Sequence, residues 1–297
     1  MRKDKMSFQV VTDTSANLPT AMANERDIVV IPFSYIVDGK AYACTDTAAF
    51  DAEAYYAMIG SGVRVTTSQV TPQEFADAFE TLLQDGDVIY LSMASGISGT
   101  YNSACMAARQ MMEKYPERKV CVIDTKGASL GTGLIALMAA DLRDQGMDTD
   151  EAVVRLENDV MCMCNIFTVD DLMYLRRTGR LSNLSAAVGT VLNIKPLLKG
   201  SEEAKIVAFA KVRGRKHAIR ALAERYDRLA VNPENQIVGI SQSACKEDAD
   251  YLESLIRQNR PPKKILQVEY EPVTGSHVGP GALAMFFLGN EHVRKEK

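Results

Sequence analysis

Along the first half of the chain, short apolar runs alternate with longer stretches in which apolar residues recur every three or four positions. Residues 8–12 form an apolar run followed by the polar "DTSANLP". Residues 28–37 and 40–43 read as strands on either side of Asp38-Gly39, a hairpin-type turn. Thr71-Pro72-Gln73-Glu74 combines an N-cap, a proline at the first helical position and the glutamate of a capping box, so a helix is predicted over 75–83, stopped by Asp85-Gly86. A strand over 87–93, a helix over 97–114, a strand over 119–124 and a long apolar helix over 130–145 follow in turn. Strands alternating with helices predict a mostly parallel sheet with helices on its faces.

Residues 150–160, "DEAVVRLENDV", form an amphipathic helix that serves as a bridge, and a second unit begins near Asn165. It carries "IFTVDDLMYLRRTGRLS", the helical "AAVGTVLNIKPLLKG", a strand–turn–helix in "AKIVAFAKVRGRKHAIRALAERYDRLA", and then strand, helix and strand in "QIVGIS", "KEDADYLESLIRQN" and "ILQVEYEP". The expectation is an α/β protein of two α/β domains. Residues 1–160 hold the mostly parallel sheet flanked by helices, and residues 161–297 hold an α/β unit with a mixed sheet.

Composition narrows the class. At about 150 residues per domain, a chain of 297 residues fits two domains. Its 46% hydrophobic and 24% charged residues are ordinary for a globular protein. The net charge of −4, with no extended basic stretch, argues against a nucleic-acid partner. No apolar run reaches the roughly 18 residues of a membrane span, and "MRKDKMSFQVV" lacks the apolar core of a signal peptide, so a cytoplasmic location is expected. Six scattered cysteines read as reduced structural thiols. "CMC" at 162–164 is not a zinc spacing, and no metal or cofactor is expected.

Ligands of a parallel α/β sheet sit beyond the carboxyl ends of its strands. Three polar loops are expected there: Asp13-Thr14-Ser15, Thr66-Thr67-Ser68-Gln69, and "SGISGT" from Ser95 to Thr100. With a helix starting near Ser98, the last of these fits either an anion on free helix amides or plain serine capping, and the residues alone leave both open. It is neither a dinucleotide fingerprint nor a P-loop. "GASLGTG" at 127–133 is read as close strand–helix packing. Of the histidines, His292 lies in a charged tail and His217 at a surface helix start. His277, in the Gly/Pro-rich "GSHVGPGAL" expected to be a loop, is either a ligand contact or a turn histidine bonded to backbone. Ser98, His277 and Asp13 or Asp124 could be assembled as a hydrolytic triad, but no G-x-S-x-G elbow is present. Arginines cluster in "LRRTGRLS" and "KVRGRKHAIR", either as solvated charge or as a basic rim.

Eight motifs standing in order resemble the DegV family, the fatty-acid-binding proteins of bacterial fatty acid kinase: "VTDTSANLP", "TTSQVTPQEF", "SGISGTYNSA", "VIDTKGASLGTG", "LRRTGRLS", "KPLLKG", "KVRGRKHA" and "HVGPGAL". The resemblance covers nearly the whole chain. It implies a long acyl chain in a tunnel between two α/β domains. It also implies no catalysis by this chain alone, and presentation of the fatty acid to a separate ATP-dependent kinase that makes an acyl phosphate for phospholipid synthesis, with room for transient membrane contact. By motif, Thr67, Ser98 and His277 bind the carboxylate. Thr66, Ser68, Ser95, Gly96, Gly99, Thr100 and Gly279 form the supporting loops, and Arg180 and Arg213 lie at the mouth or the kinase interface. Two departures stand out: "TSQV" where "TSQP" is more usual, and Ala284 where glycine is more usual, which bears on the width of the cavity.

A fatty acid suits such residues. Its head needs donors yet must stay available for reaction. Its tail supplies affinity, about 11 kcal/mol gross for about fourteen methylenes at about 0.8 kcal/mol each. Residues 134–140, 187–194 and 284–287 are the expected apolar walls. The alternatives are a stand-alone enzyme such as a hydrolase, and a regulator that binds another small anion in a short polar pocket.

Overall fold

In the computed structural model, which describes residues 7–181, 193–290 and 293–295, the first half of the chain contains β1 (Phe8–Asp13), α1 (Thr20–Glu25), β2 (Ile28–Ile31), β3 (Ser34–Val37), β4 (Lys40–Ala43), α2 (Ala52–Gly60), β5 (Val65–Ser68), α3 (Pro72–Leu82), β6 (Asp87–Ser92), α4 (Thr100–Lys114), β7 (Val120–Asp124), α5 (Leu130–Asp144) and α6 (Thr149–Cys162). The apolar runs of β1 and β6 are the central strands of a four-stranded parallel sheet ordered β2-β1-β6-β7. Both are buried almost throughout, because helices cover the two faces and leave no position in water. α3 begins as its sequence requires: the Thr71 hydroxyl accepts from Glu74 N–H, while the Glu74 carboxylate accepts from Thr71 N–H at 2.7 Å.

The strand expected over 28–37 is two strands in two sheets. Pro32 lacks an N–H for a ladder, and the next amide, Phe33 N–H, donates to Thr14 Oγ1 at 3.0 Å instead of to a strand. The chain therefore leaves the parallel sheet and enters a small antiparallel one, ordered β4-β3-β5. Asp38 and Gly39 turn β3 into β4 with φ of 48° and 79°. Both are left-handed, which matches the right-handed twist of a hairpin.

The second half contains β8 (Met163–Thr168), α7 (Met173–Arg177), β9 (Ile194–Gly200), β10 (Ile206–Arg213), α8 (Arg215–Leu229), β11 (Ile237–Gln242), α9 (Lys246–Asn259), β12 (Lys264–Glu269), α10 (Pro272–Val278) and β13 (Leu283–Leu288). They build a six-stranded mixed sheet, β10-β9-β8-β13-β11-β12, in which only β11 and β12 pair in parallel.

α5 joins the two halves. Eleven of its fifteen residues are buried, too many for one stripe, so it is apolar around its whole circumference and packs on both larger sheets. One buried cluster accordingly holds Phe8 and Val10 together with Met163 and Phe286. The glycines at its start serve this packing: a Cβ on Gly131 would stand 1.9 Å from Asn165 Oδ1, inside any tolerable contact. Among the described residues, no helix is long and apolar enough to cross a membrane.

Candidate binding site

A cavity of about 260 Å³ opens where the first parallel sheet, the small sheet and the mixed sheet converge. Its wall combines exposed polar residues with buried apolar ones, and Ser129, Asn165 and Thr274 within it are buried and polar. Thr67, Gln69, Ser98, Gly99 and Arg180 lie at one end, where Gln69 and Gly99 are exposed. Phe167, Tyr270, Val278 and Phe286 lie deep in the core. An amphiphile with a polar head among the exposed polar residues and an apolar tail against the buried rings fits this lining.

The polar end is built from three separate elements. Thr67 sits on β5, not on a loop; strand alternation turns Thr67 inward and leaves Thr66 and Ser68 exposed on either side. Ser98 lies two residues before α4, whose first residue is Thr100 rather than residue 97. Its hydroxyl accepts from Thr100 N–H at 3.2 Å and donates to Thr100 Oγ1 at 3.1 Å. His277 is the third contributor. It stands in the last turn of α10, a seven-residue helix, where the sequence suggested a loop. Pro272 at the first helical position and Glu271 as N-cap explain the helix: both Glu271 carboxylate oxygens accept backbone N–H groups, from Val273 and Thr274, at 2.6 Å.

His277 Nε2 lies 3.0 Å from Thr67 Oγ1. Burial, with the positive charge of Arg180 nearby, pushes the imidazole down to about 4, so it is neutral at pH 7. Its Nδ1 is buried and has no hydrogen-bond partner among the described residues. The Arg180 guanidinium is half-buried, donates to the carbonyls of Ile97 (3.2 Å) and Thr178, and faces no carboxylate among the described residues. Burial lowers its affinity for its proton, because it disfavours the charged form.

The supporting residues act behind the wall. Ser95 is committed to Asp124, with Oγ donating at 2.6 Å and the amide at 3.2 Å. Thr100 is buried under Ser98. Gly96 admits the chain that precedes β10: a Cβ there would meet the Ala204 carbonyl oxygen at 2.4 Å. Gly279, at φ +74°, ends α10 against the Tyr174 ring, which a Cβ would meet at 2.4 Å. Arg213 does not line the cavity. It is exposed at the opposite end of the eight-residue β10 from Ile206, about 23 Å away at about 3.3 Å per residue. His217 is exposed on α8, with Nδ1 on the Arg213 carbonyl at 3.0 Å. His292 lies outside the described residues.

The loop of Asp13-Thr14-Ser15 faces elsewhere. Asp13 is consumed internally, accepting from Ser15 and from Tyr90 OH at 2.5 Å, and burial pushes its carboxyl up to about 6. Among the expected walls, Phe286 lines the cavity. Residues 134–140 do not; they belong to α5 and its core, and Ala284 is buried without lining the cavity. Most of 187–194 lies outside the described residues. Sequence reasoning placed Gln69 in a ligand-facing polar loop and missed Lys126, Lys205, Asn165, Tyr270 and Thr274 as wall residues. Thr274 had a signal, since it precedes His277 by three and shares its helix face once α10 is seen as a helix. Lys126 had none, because its place follows from a positive φ of 51° at the end of β7.

Comparison with known proteins places this architecture. The chain matches the family model described as "Uncharacterised protein, DegV family COG1307" over residues 7–290. It belongs to the DegV family. A DegV domain-containing protein of Clostridium perfringens is 37% identical over 284 residues, covering 95% of this chain and 98% of the relative. Among solved structures, a fatty-acid-binding DegV family protein from Streptococcus agalactiae is 31% identical, with a TM-score of 0.83 and coverage of 96% of this chain and 99% of that one. A DegV family protein from Thermus thermophilus, solved as a case of fatty acid binding, is 27% identical with a TM-score of 0.86, covering 96% of this chain and 100% of that one.

Proposed function

We propose that this DegV family chain binds a long-chain fatty acid, with the carboxylate held by Thr67, Ser98 and His277 and the tail in the cavity that ends at Phe286. The observation that carries the reading is the Thr67–His277 contact at 3.0 Å on the wall of a cavity that also takes in the buried apolar side chains of Phe167, Val278 and Phe286. Hydroxyl donors and a neutral imidazole bind a carboxylate without forming an ion pair that would quench its reactivity. Arg180 adds a field that favours the anion. The fatty-acid-binding relatives support the ligand class.

In this reading the chain is a non-catalytic carrier. It presents the carboxylate at the open end to a separate ATP-dependent kinase for acyl phosphate formation. The geometry argues against a hydrolase. A triad needs a base oriented by a third group, yet His277 Nδ1 has no partner among the described residues. The two candidate carboxylates are occupied elsewhere, Asp13 with Ser15 and Tyr90, Asp124 with Ser95 and Lys126.

Native mass spectrometry of the purified protein, before and after denaturing extraction, tests this. An adduct that extracts as a C14–C18 acid is the expected result, followed by acyl phosphate formation when a fatty acid kinase and ATP are added. Protein that is ligand-free and also fails to take up oleate or palmitate would overturn the reading.

A further inference from the structure

A larger cleft, of about 690 Å³, lies outside the site described above. It follows β2, an edge strand of the parallel sheet, and Ile28, Val29 and Val30 form part of its wall. The backbone of Ile28–Ile31 pairs with β1 alone; among the described residues no other group hydrogen-bonds it. In a parallel ladder only half of a strand's N–H and C=O groups face its neighbour. The outward half of β2 therefore faces the cleft with hydrogen-bonding capacity unspent.

Two further features say what would satisfy it. The first is charge. Asp27 and Asp85 are exposed at the amino end of β2, Asp13 and Glu271 are buried at its carboxyl end, and no Lys, Arg or His lines the cleft. The second is Gln9. Its side chain lines the cleft from the adjacent strand. Its amide makes no hydrogen bond to another described residue and is not sealed from solvent, so it is free to bond a group that enters the cleft.

We propose that the free edge of β2 is a docking groove for an extended, Lys- or Arg-bearing segment of a partner protein, added to the parallel sheet as a fifth strand. Backbone pairing supplies the affinity, the exposed carboxylates of Asp27 and Asp85 select basic side chains, and Gln9 bonds the incoming backbone or a polar side chain. The proposal is independent of the fatty-acid reading, because the cleft and the acyl cavity share no lining residue.

The test is to pan a random heptapeptide library on the full-length protein and on the double variant Asp27→Lys/Asp85→Lys. Both substituted residues are exposed, and retained fatty acid uptake controls for folding. Enrichment of basic, β-branched heptapeptides on the unmodified protein is expected. Binding should fall at least about tenfold, the equivalent of about 1.4 kcal/mol, on the double variant, and likewise when alternate backbone amides of the peptide are N-methylated. No enrichment, enrichment of peptides without basic residues, or binding indifferent to N-methylation or to the double variant would overturn the proposal. So would a concentration-dependent dimer that the double variant abolishes, since the edge would then belong to a second copy.

Discussion

Thr67 and His277 stand 210 residues apart in the chain and 3.0 Å apart in space. One is carried by a strand of the smallest sheet and the other by the last turn of a short helix, so their contact depends on how α10 docks against β5. The expected properties of the site follow from that dependence.

Removing one hydroxyl should weaken the site without unfolding the protein. In the proposed complex, Ser98→Ala and Thr67→Ala would each delete a charge-assisted hydrogen bond to the carboxylate, worth about 1.5–3 kcal/mol. Fatty acid affinity should drop about ten- to hundredfold, read by displacement of a fluorescent acid, with little change in melting temperature. Unchanged affinity in either variant would remove that residue from the site.

Binding should take up a proton at mildly acidic pH. His277 titrates at about 4 in the free protein, and a carboxylate beside it raises that value. Between the free and bound values the complex holds one more proton, so affinity rises as pH falls through that window. Calorimetry just above the free value, at about pH 4.5–5, in buffers of different ionisation enthalpy should show uptake, and His277→Gln should abolish it.

Glu271 and His277 should give stability slopes of opposite sign. Burial, with Asp13 nearby, pushes the Glu271 carboxyl up from 4.5 to about 7. The native state then holds the extra proton in that range, and stability falls as pH rises through it. His277 is pushed down from 6.5 to about 4. The unfolded chain holds the extra proton there, and stability rises with pH. Denaturant melts from pH 4.5 to 7 should therefore become steeper in the rising direction in Glu271→Gln. Glu271→Ala should cost about 1–3 kcal/mol at any pH, because two buried amides of α10 lose their acceptor.

Gly279→Ala should disrupt the joint between α10 and α7. The position has φ +74°, and an added Cβ would meet the Tyr174 ring at 2.4 Å. Left-handed strain and a clash together predict a loss of about 1–3 kcal/mol, visible as a lower melting temperature, with weaker acid binding because His277 shifts. A variant as stable as the parent that binds acid normally would show that this close approach is not required.

How much of this was legible in the sequence varies by element. The capping box of α3, the Asp38-Gly39 hairpin and the alternation of strands and helices were all local signals, and the elements they predict are present. The motifs also identified the family. Errors arose where a local pattern competed with a tertiary one. "GSHVGPGAL" reads as a loop because its glycines and proline are turn formers, yet Glu271 caps a helix that ends only at Gly279. "TTSQ" reads as a polar loop because its alternation is between hydroxyl residues, which hides the strand. The apolar residues 134–140 read equally as cavity wall or core, and packing against both larger sheets made them core.

The sequence by itself determined the class of the protein, the order of its elements and the kinds of side chain available to a ligand, because periodicity, capping and composition act over a few residues. Only the tertiary structure decided that Thr67, Ser98 and His277 face one cavity, that Arg213 does not, and that β2 is left with an open edge beside the exposed carboxylates of Asp27 and Asp85. Those outcomes depend on which strands become neighbours and on where a helix docks, and both are settled by burial across the whole chain.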